Sequence, residues 1–127
     1  MESKLRIIAG KWRSRQLAFE ESLGLRPTPA RTRETLFNWL QQDVARSQCL
    51  DLFAGSGALG FEAASRGADS VTMVEENANA CRLIKQNIDK LSAQQVNIVK
   101  SDVFKFLVAD ASPFNLVFLD PPFTQGL

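Results

Sequence analysis

The sequence predicts an α/β chain built on a parallel sheet with helices on both faces, and three observations predict it. Short apolar runs alternate with helix-patterned segments from Cys49 to Leu119. A glycine-rich turn joins the first of these runs to the helix that follows. The composition, 45% apolar and 23% charged over 127 residues with no low-complexity run, is that of an ordinary globular domain. A β-α-β-α-β-α-β order closes as parallel strands joined by right-handed crossovers, which makes the fold Rossmann-like and doubly wound.

Each element has its own signal. Leu5-Arg6-Ile7-Ile8 and Arg13 to Leu17 flank Ala9-Gly10-Lys11-Trp12, which predicts a hairpin with mostly cationic polar positions. Trp12 either packs on the body or stacks on a base; Arg6, Lys11, Arg13 and Arg15 suit the phosphates of an RNA. Gly24-Leu25-Arg26-Pro27-Thr28-Pro29 reads as a stiff linker, because each proline fixes its own φ and keeps its predecessor extended. From Ala30 to about Arg46, Leu36, Phe37, Leu40 and Val44 form one helical stripe, with Trp39 at its flank as a partly buried edge or a ligand contact. Strands follow at Cys49 to Phe53, Val71 to Val74, Val96 to Val99 and Leu116 to Leu119. Between them lie helices at Ala58 to Ser65, at Ala78 to Leu91 with Cys81, Ile84, Ile88 and Leu91 on one face, and at Asp102 to Ala109. With four strands only, the apolar Leu116-Val117-Phe118-Leu119 falls near an uncovered edge, so the chain is expected to be part of a longer protein.

Composition excludes several chemistries. With no histidine there is no imidazole base, no Ser-His-Asp triad and no His-ligated metal, and no metal site is expected. Cys49 and Cys81 form no CxxC pair and read as buried thiols of a reducing compartment. Met1 to Leu5 lead into no signal-peptide segment and no run approaches a membrane span, which places the protein in the cytoplasm. The near-neutral total conceals an asymmetry: residues 1–33 carry eight Lys and Arg against three Glu, and the rest carry seven against eleven acids. A basic arm ahead of an acidic body suits a polyanion at one end and another ligand at the other.

That other ligand is legible. Asp51-Leu52-Phe53-Ala54-Gly55-Ser56-Gly57-Ala58-Leu59-Gly60 places G-x-G-x-x-G between a strand and a helix, where missing Cβ atoms let backbone approach a ligand. About 20 residues beyond Gly55, Glu75 ends the second strand, where it can accept bonds from both hydroxyls of a ribose. Nicotinamide dinucleotides and S-adenosylmethionine both fit these two features. Asp120-Pro121-Pro122-Phe123 decides for the second, because methylating an exocyclic amine requires its lone pair to be localised. The Asp120 carboxylate and the Pro121 carbonyl can accept the two N–H bonds, Pro121 and Pro122 fix the backbone, and Phe123 can stack on the base. A dehydrogenase has no use for that tetrapeptide.

These residues resemble the bacterial 16S rRNA (guanine(966)-N(2))-methyltransferase family. The resemblance covers Arg6 to Arg15, Leu25-Arg26-Pro27-Thr28, Arg31-Thr32-Arg33-Glu34-Thr35-Leu36-Phe37-Asn38-Trp39-Leu40, the glycine loop, Glu75 and Asp120 to Phe123. It implies a class I enzyme that uses S-adenosylmethionine, with 16S rRNA or the small ribosomal subunit as partner. Asp51, Phe53, Gly55 and Gly57 would line the methionine end of the cofactor, Glu75 would hold its ribose, and Asp102 with Val103 would bind adenine. Asp120, Pro121, Pro122 and Phe123 would orient and stack the guanine. The expected division is a basic hairpin and linker over 1–29 and the first part of the methyltransferase domain over 30–127, the family's later strands lying beyond it. The cofactor half is expected to form from this chain, and catalysis to need the later strands. Adenine-N6 methylation of DNA or RNA, a non-catalytic RNA-binding module and a dehydrogenase remain the alternatives.

Overall fold

In the computed structural model, which describes residues 2–21, 27–109 and 113–120, an antiparallel hairpin of β1 (Glu2–Arg6) and β2 (Gln16–Glu20) comes first. Helix α1 (Ala30–Val44) begins after Pro29, an extended residue with φ −56° and ψ 150°. The chain continues as β3 (Gln48–Leu52), α2 (Ala58–Ser65), β4 (Ser70–Glu75), α3 (Ala78–Leu91), β5 (Val96–Lys100), α4 (Val103–Ala109) and β6 (Leu116–Leu119). The last four strands form one parallel sheet in the order β5-β4-β3-β6. Winding therefore reverses between β3 and β6, the kind of switch point at whose carboxyl edge open α/β sheets bind their ligands.

The two faces of the sheet are covered differently. On one, Cys49, Val71, Met73, Val96 and Phe118 share a single core with α1, α2 and the hairpin residues Leu5, Ile7, Leu17 and Phe19. Phe37 of α1 meets Phe118 with ring centroids 5.5 Å apart. On the other face, Leu50, Leu52 and Val74 pack with Val103 and Phe106 of α4. Val117 and Leu119 alternate onto this second face and are 53% and 65% exposed, and β6 is the outermost strand of the sheet among the described residues.

Helix α2 is buried on every side because the loop from Ile7 to Arg15 closes over it. Gly10 makes that approach possible, since a Cβ there would collide with the Ser65 carbonyl. The Lys11 N–H donates to the Ser65 carbonyl (2.8 Å) and the Trp12 N–H to Ser65 Oγ (3.0 Å). Glu62, fully buried, accepts from the N–H groups of Ile8 (2.9 Å) and Ala9 (3.1 Å) and from Arg66 Nε (2.8 Å). Arg33 Nη1 lies 3.6 Å from the same carboxylate. Asn87 ties β2 to α3, donating to the Ala18 carbonyl (2.9 Å) and accepting from the Ala18 N–H (3.3 Å).

Several expectations change. The hairpin strands lie further from the turn than the apolar pattern predicts, because backbone groups of Ile8, Ala9, Lys11 and Trp12 bond to α2 rather than to an opposite strand. Trp12 is 4% exposed, which fills the core and removes it as a stacking platform for a base. Trp39 is 80% exposed, so it is no edge of the core. The buried face of α3 centres on Leu83, Ile84, Asn87 and Leu91, with Cys81 and Ile88 half-buried beside it. Among the described residues no helix is long and apolar enough to cross a membrane.

Candidate active site

Strand β3 carries Asp51 and then a tight turn to the carboxyl edge of the sheet. Phe53 takes φ +59°, a left-handed conformation that bulky residues rarely hold unless the surroundings impose it. The turn is pinned by the Ala54 N–H on the Val74 carbonyl (2.9 Å) and the Gly57 N–H on the Ala54 carbonyl (2.8 Å). At Gly55, φ is +58° and an added Cβ would meet nothing nearer than the Phe53 carbonyl oxygen at 3.9 Å. That glycine faces open space, as the floor of a ligand cradle does. Gly57 and Gly60 answer to packing instead, since added Cβ atoms would collide with the Phe61 ring and with Met73. The sequence motif thus divides into one glycine beside open space and two packed against the side chains of Phe61 and Met73.

Glu75 and Asp51 brace this turn, and Asp102 lies two strands away after β5. Glu75, half-buried at the end of β4, accepts from the Gly55 N–H through Oε1 (2.8 Å) and from the Asn77 N–H through Oε2 (2.9 Å). Each of its oxygens keeps a second lone pair, so the side chain that braces the turn can also accept from ribose hydroxyls. Asp51 is 1% exposed and holds the Gly60 N–H through Oδ2 (3.1 Å), supporting the turn from beneath. Burial pushes its carboxyl up to about 7; the Gly60 bond pulls it down, and the charges of Asp120 and Glu75 raise it further. Asp102, after β5, caps α4 by accepting from the N–H groups of Phe104 (2.9 Å) and Lys105 (3.1 Å) through Oδ1. The Val103 side chain is buried in the core under α4, which leaves its backbone as the part able to face a ligand.

Asp120 is exposed directly after β6, and its Oδ2 accepts from Thr28 Oγ1 at 3.1 Å. Pro121, Pro122 and Phe123 lie outside the described residues. The hairpin is tied toward Asp120 at Arg6, whose carbonyl accepts from Arg33 Nη1 (3.0 Å) while Arg33 Nε donates to the Thr28 carbonyl (3.0 Å). Arg6, Lys11, Arg13 and Arg15 are all exposed. Lys11 sits at the carboxyl end of α2, whose other end begins at the glycine turn, so it borders the opposite edge of the sheet. Arg15 reaches the Lys90 carbonyl at 3.4 Å near the end of α3.

A parallel sheet in this order, with a glycine turn after its central strand and an acid ending the next, is the frame of a class I methyltransferase. The chain belongs to the family described as Conserved hypothetical protein 95, which matches residues 5–127. It is 48% identical over 124 residues to ribosomal RNA small subunit methyltransferase D of Escherichia coli K12, an alignment covering 98% of this chain and 63% of that protein. The protein of that name from Haemophilus influenzae is 46% identical over 130 residues, covering 99% of this chain and 67% of the relative. The chain thus spans about two thirds of the length of these relatives. Among solved structures, the Escherichia coli protein yhhF superposes with a TM-score of 0.89 at 46% identity, over 98% of this chain and 68% of that one.

S-adenosylmethionine is the cofactor that goes with this family and frame, and the residues present fit it. The open face of Gly55 leaves room for the ligand, and Glu75 keeps acceptor capacity for a ribose beside it. Missing from the sequence reading were Thr28, Arg33 and Glu62 as one connected set. Glu62 left a trace of its own, as a charge inside an otherwise apolar helix with Arg66 four residues on.

Proposed function

We propose that this chain provides the cofactor cradle and the amine-binding acid of an S-adenosylmethionine-dependent methyltransferase acting on the N2 amine of a guanine in 16S ribosomal RNA, in the cytoplasm. The observation that carries the reading is the convergence of the Glu75-braced Gly55 turn and Asp120 on neighbouring carboxyl ends of the same sheet. The names borne by the Escherichia coli and Haemophilus influenzae relatives support ribosomal RNA as the substrate class.

When bound, the cofactor supplies a methyl group already activated on a sulfonium, so the protein's contribution is mainly positioning. Glu75 and the turn fix the donor. Asp120 would accept one amine N–H and so orient the amine nitrogen. Methylation of the amine requires one of its protons to leave, and the Asp120 carboxylate would hold it. A guanine amine reaches this depth only from an unpaired or extruded base. An adenine amine presents the same chemistry: tRNA1(Val) (adenine(37)-N6)-methyltransferase of Escherichia fergusonii is 33% identical over 81 residues, 61% of this chain.

Calorimetric titration with S-adenosylhomocysteine tests the cofactor half directly. Binding is expected to be selective over NAD and weakened at least about tenfold in Glu75→Ala, the loss expected for hydrogen bonds to a charged acceptor. Equal binding of NAD would overturn the cofactor assignment. Transfer assays on DNA, free ribosomal RNA and small subunits then separate guanine from adenine.

The exposed hairpin cations give a second test. Replacing Arg6, Lys11, Arg13 and Arg15 together by Ser is expected to weaken RNA association and flatten its salt dependence, by about 0.7 in log–log slope for each lost single-strand phosphate contact. S-adenosylhomocysteine affinity should stay unchanged, because the glycine turn lies at the other end of α2. Equal loss of both would make the hairpin a structural element only.

A further inference from the structure

The hydrogen bond from Thr28 to Asp120 joins the site to a part of the chain that the proposed reaction does not yet use. We infer that Thr28 is a positioning residue for Asp120, an inference that rests on the reading of Asp120 as the group that takes the substrate amine. Asp120 is exposed, one residue past the end of β6, and a carboxylate so placed turns freely about its last torsion. The Thr28 hydroxyl occupies Oδ2, which leaves Oδ1 as the oxygen that meets an amine N–H.

Thr28 is built to hold that position. It lies between Pro27 and Pro29, whose rings fix φ on both sides and keep Thr28 itself extended. Arg33 Nε donates to its carbonyl at 3.0 Å, and Arg33 is 3% exposed. Arg33 is anchored in turn by the Arg6 carbonyl at 3.0 Å and by the fully buried Glu62 carboxylate at 3.6 Å. A threonine serving only to cap or space the linker would need no such chain of buried supports behind it. The hydroxyl that reaches Asp120 is the exposed end of a rigid polar strut running from Glu62 through Arg33 to Thr28.

The test, made in a protein carried to the full length of its relatives, compares Thr28→Val, which keeps the shape and removes the hydroxyl, with Thr28→Ser, which restores it. Methyl transfer to small-subunit RNA is expected to fall about tenfold in kcat for Thr28→Val, with KM for RNA and S-adenosylhomocysteine affinity within about twofold. Thr28→Ser should recover at least about a third of the rate, and Thr28→Val should cost nothing further in an Asp120→Asn background. In urea unfolding of the parent, Thr28→Val, Asp120→Asn and the double variant, the two substitutions should be coupled, the double variant losing less than the sum of the singles. Full transfer by Thr28→Val, with Asp120→Asn inactive, would overturn the inference and leave the proposed function standing. So would a loss that serine does not relieve, or one matched by lost cofactor affinity. Undiminished transfer by Asp120→Asn, or none by the otherwise unaltered full-length protein, would overturn the functional reading and the inference with it.

Discussion

Glu62→Gln is expected to remove about 3–5 kcal/mol of folding stability, the cost of breaking a buried ion pair by deleting one partner. Glu62 has no exposed surface, and its two oxygens face four donors: the N–H groups of Ile8 and Ala9, Arg66 Nε and Arg33 Nη1. Glutamine fills the same space but turns one acceptor into an NH2 group pointing at donors. It also leaves Arg33, 3% exposed, without its counter-charge. Exposed ion pairs contribute about 0–1 kcal/mol, and that scale does not apply to this interior pair. For a chain of this size the loss corresponds to a fall in Tm of about 10 °C or more. Because Glu62 also clamps the Ile7–Arg15 loop onto α2, that loop should become the first site of protease cleavage. Thermal or urea unfolding measures the total; a loss below about 1 kcal/mol would mean the network is dispensable.

The same network explains where the sequence was readable. Helices at Ala58–Ser65 and Ala78–Leu91 and the strand Leu116–Leu119 follow from local signals, namely apolar spacing bounded by Gly57, by the Asn77 cap and by Ser92 with φ +53°. The sheet, its parallel sense and helices on both faces follow from element order. The hairpin was misplaced because its register is set from across the chain: Glu62 and Ser65 take the backbone donors from Ile8 to Trp12, and nothing local announces partners more than 50 residues away. For the same reason Trp12 looked available for stacking and is buried. Trp39 shows the converse, an aromatic beside an apolar stripe that the fold leaves in solvent.

The site divides along a similar line. Gly55, Glu75 and Asp120 are recognisable because strand ends and spacing place them at one edge. Gly57 and Gly60 share the motif with Gly55, yet only the structure shows Phe61 and Met73 standing where their Cβ atoms would be. Thr28 and Arg33 stand in the segment that carries the family resemblance, but their connection to Asp120 is a tertiary fact.

Asp51→Asn is expected to abolish a pH dependence of stability that the unaltered chain shows between about pH 4 and 7. The Asp51 carboxyl is raised from its usual 3.8 to about 7 in the fold, by burial first and by the Asp120 and Glu75 charges besides, against the opposing Gly60 bond. Below pH 3.8 both folded and unfolded chains hold the proton, and the group costs nothing. Between the two values the unfolded chain has released a proton that the fold retains, so stability falls as pH rises, by at most about 1.4 kcal/mol per unit. Above about 7 both states are ionised and the loss is complete. Asparagine still offers Oδ1 to the Gly60 N–H but carries no charge into the interior. Urea unfolding from pH 4.5 to 8, taken as the difference between variant and parent so that the other acids cancel, should show the variant gaining on the parent with rising pH, on the order of 3 kcal/mol in all. Parallel curves would mean that Asp51 titrates like an ordinary carboxylate, and that the floor of the glycine turn is wetter than a residue 1% exposed allows.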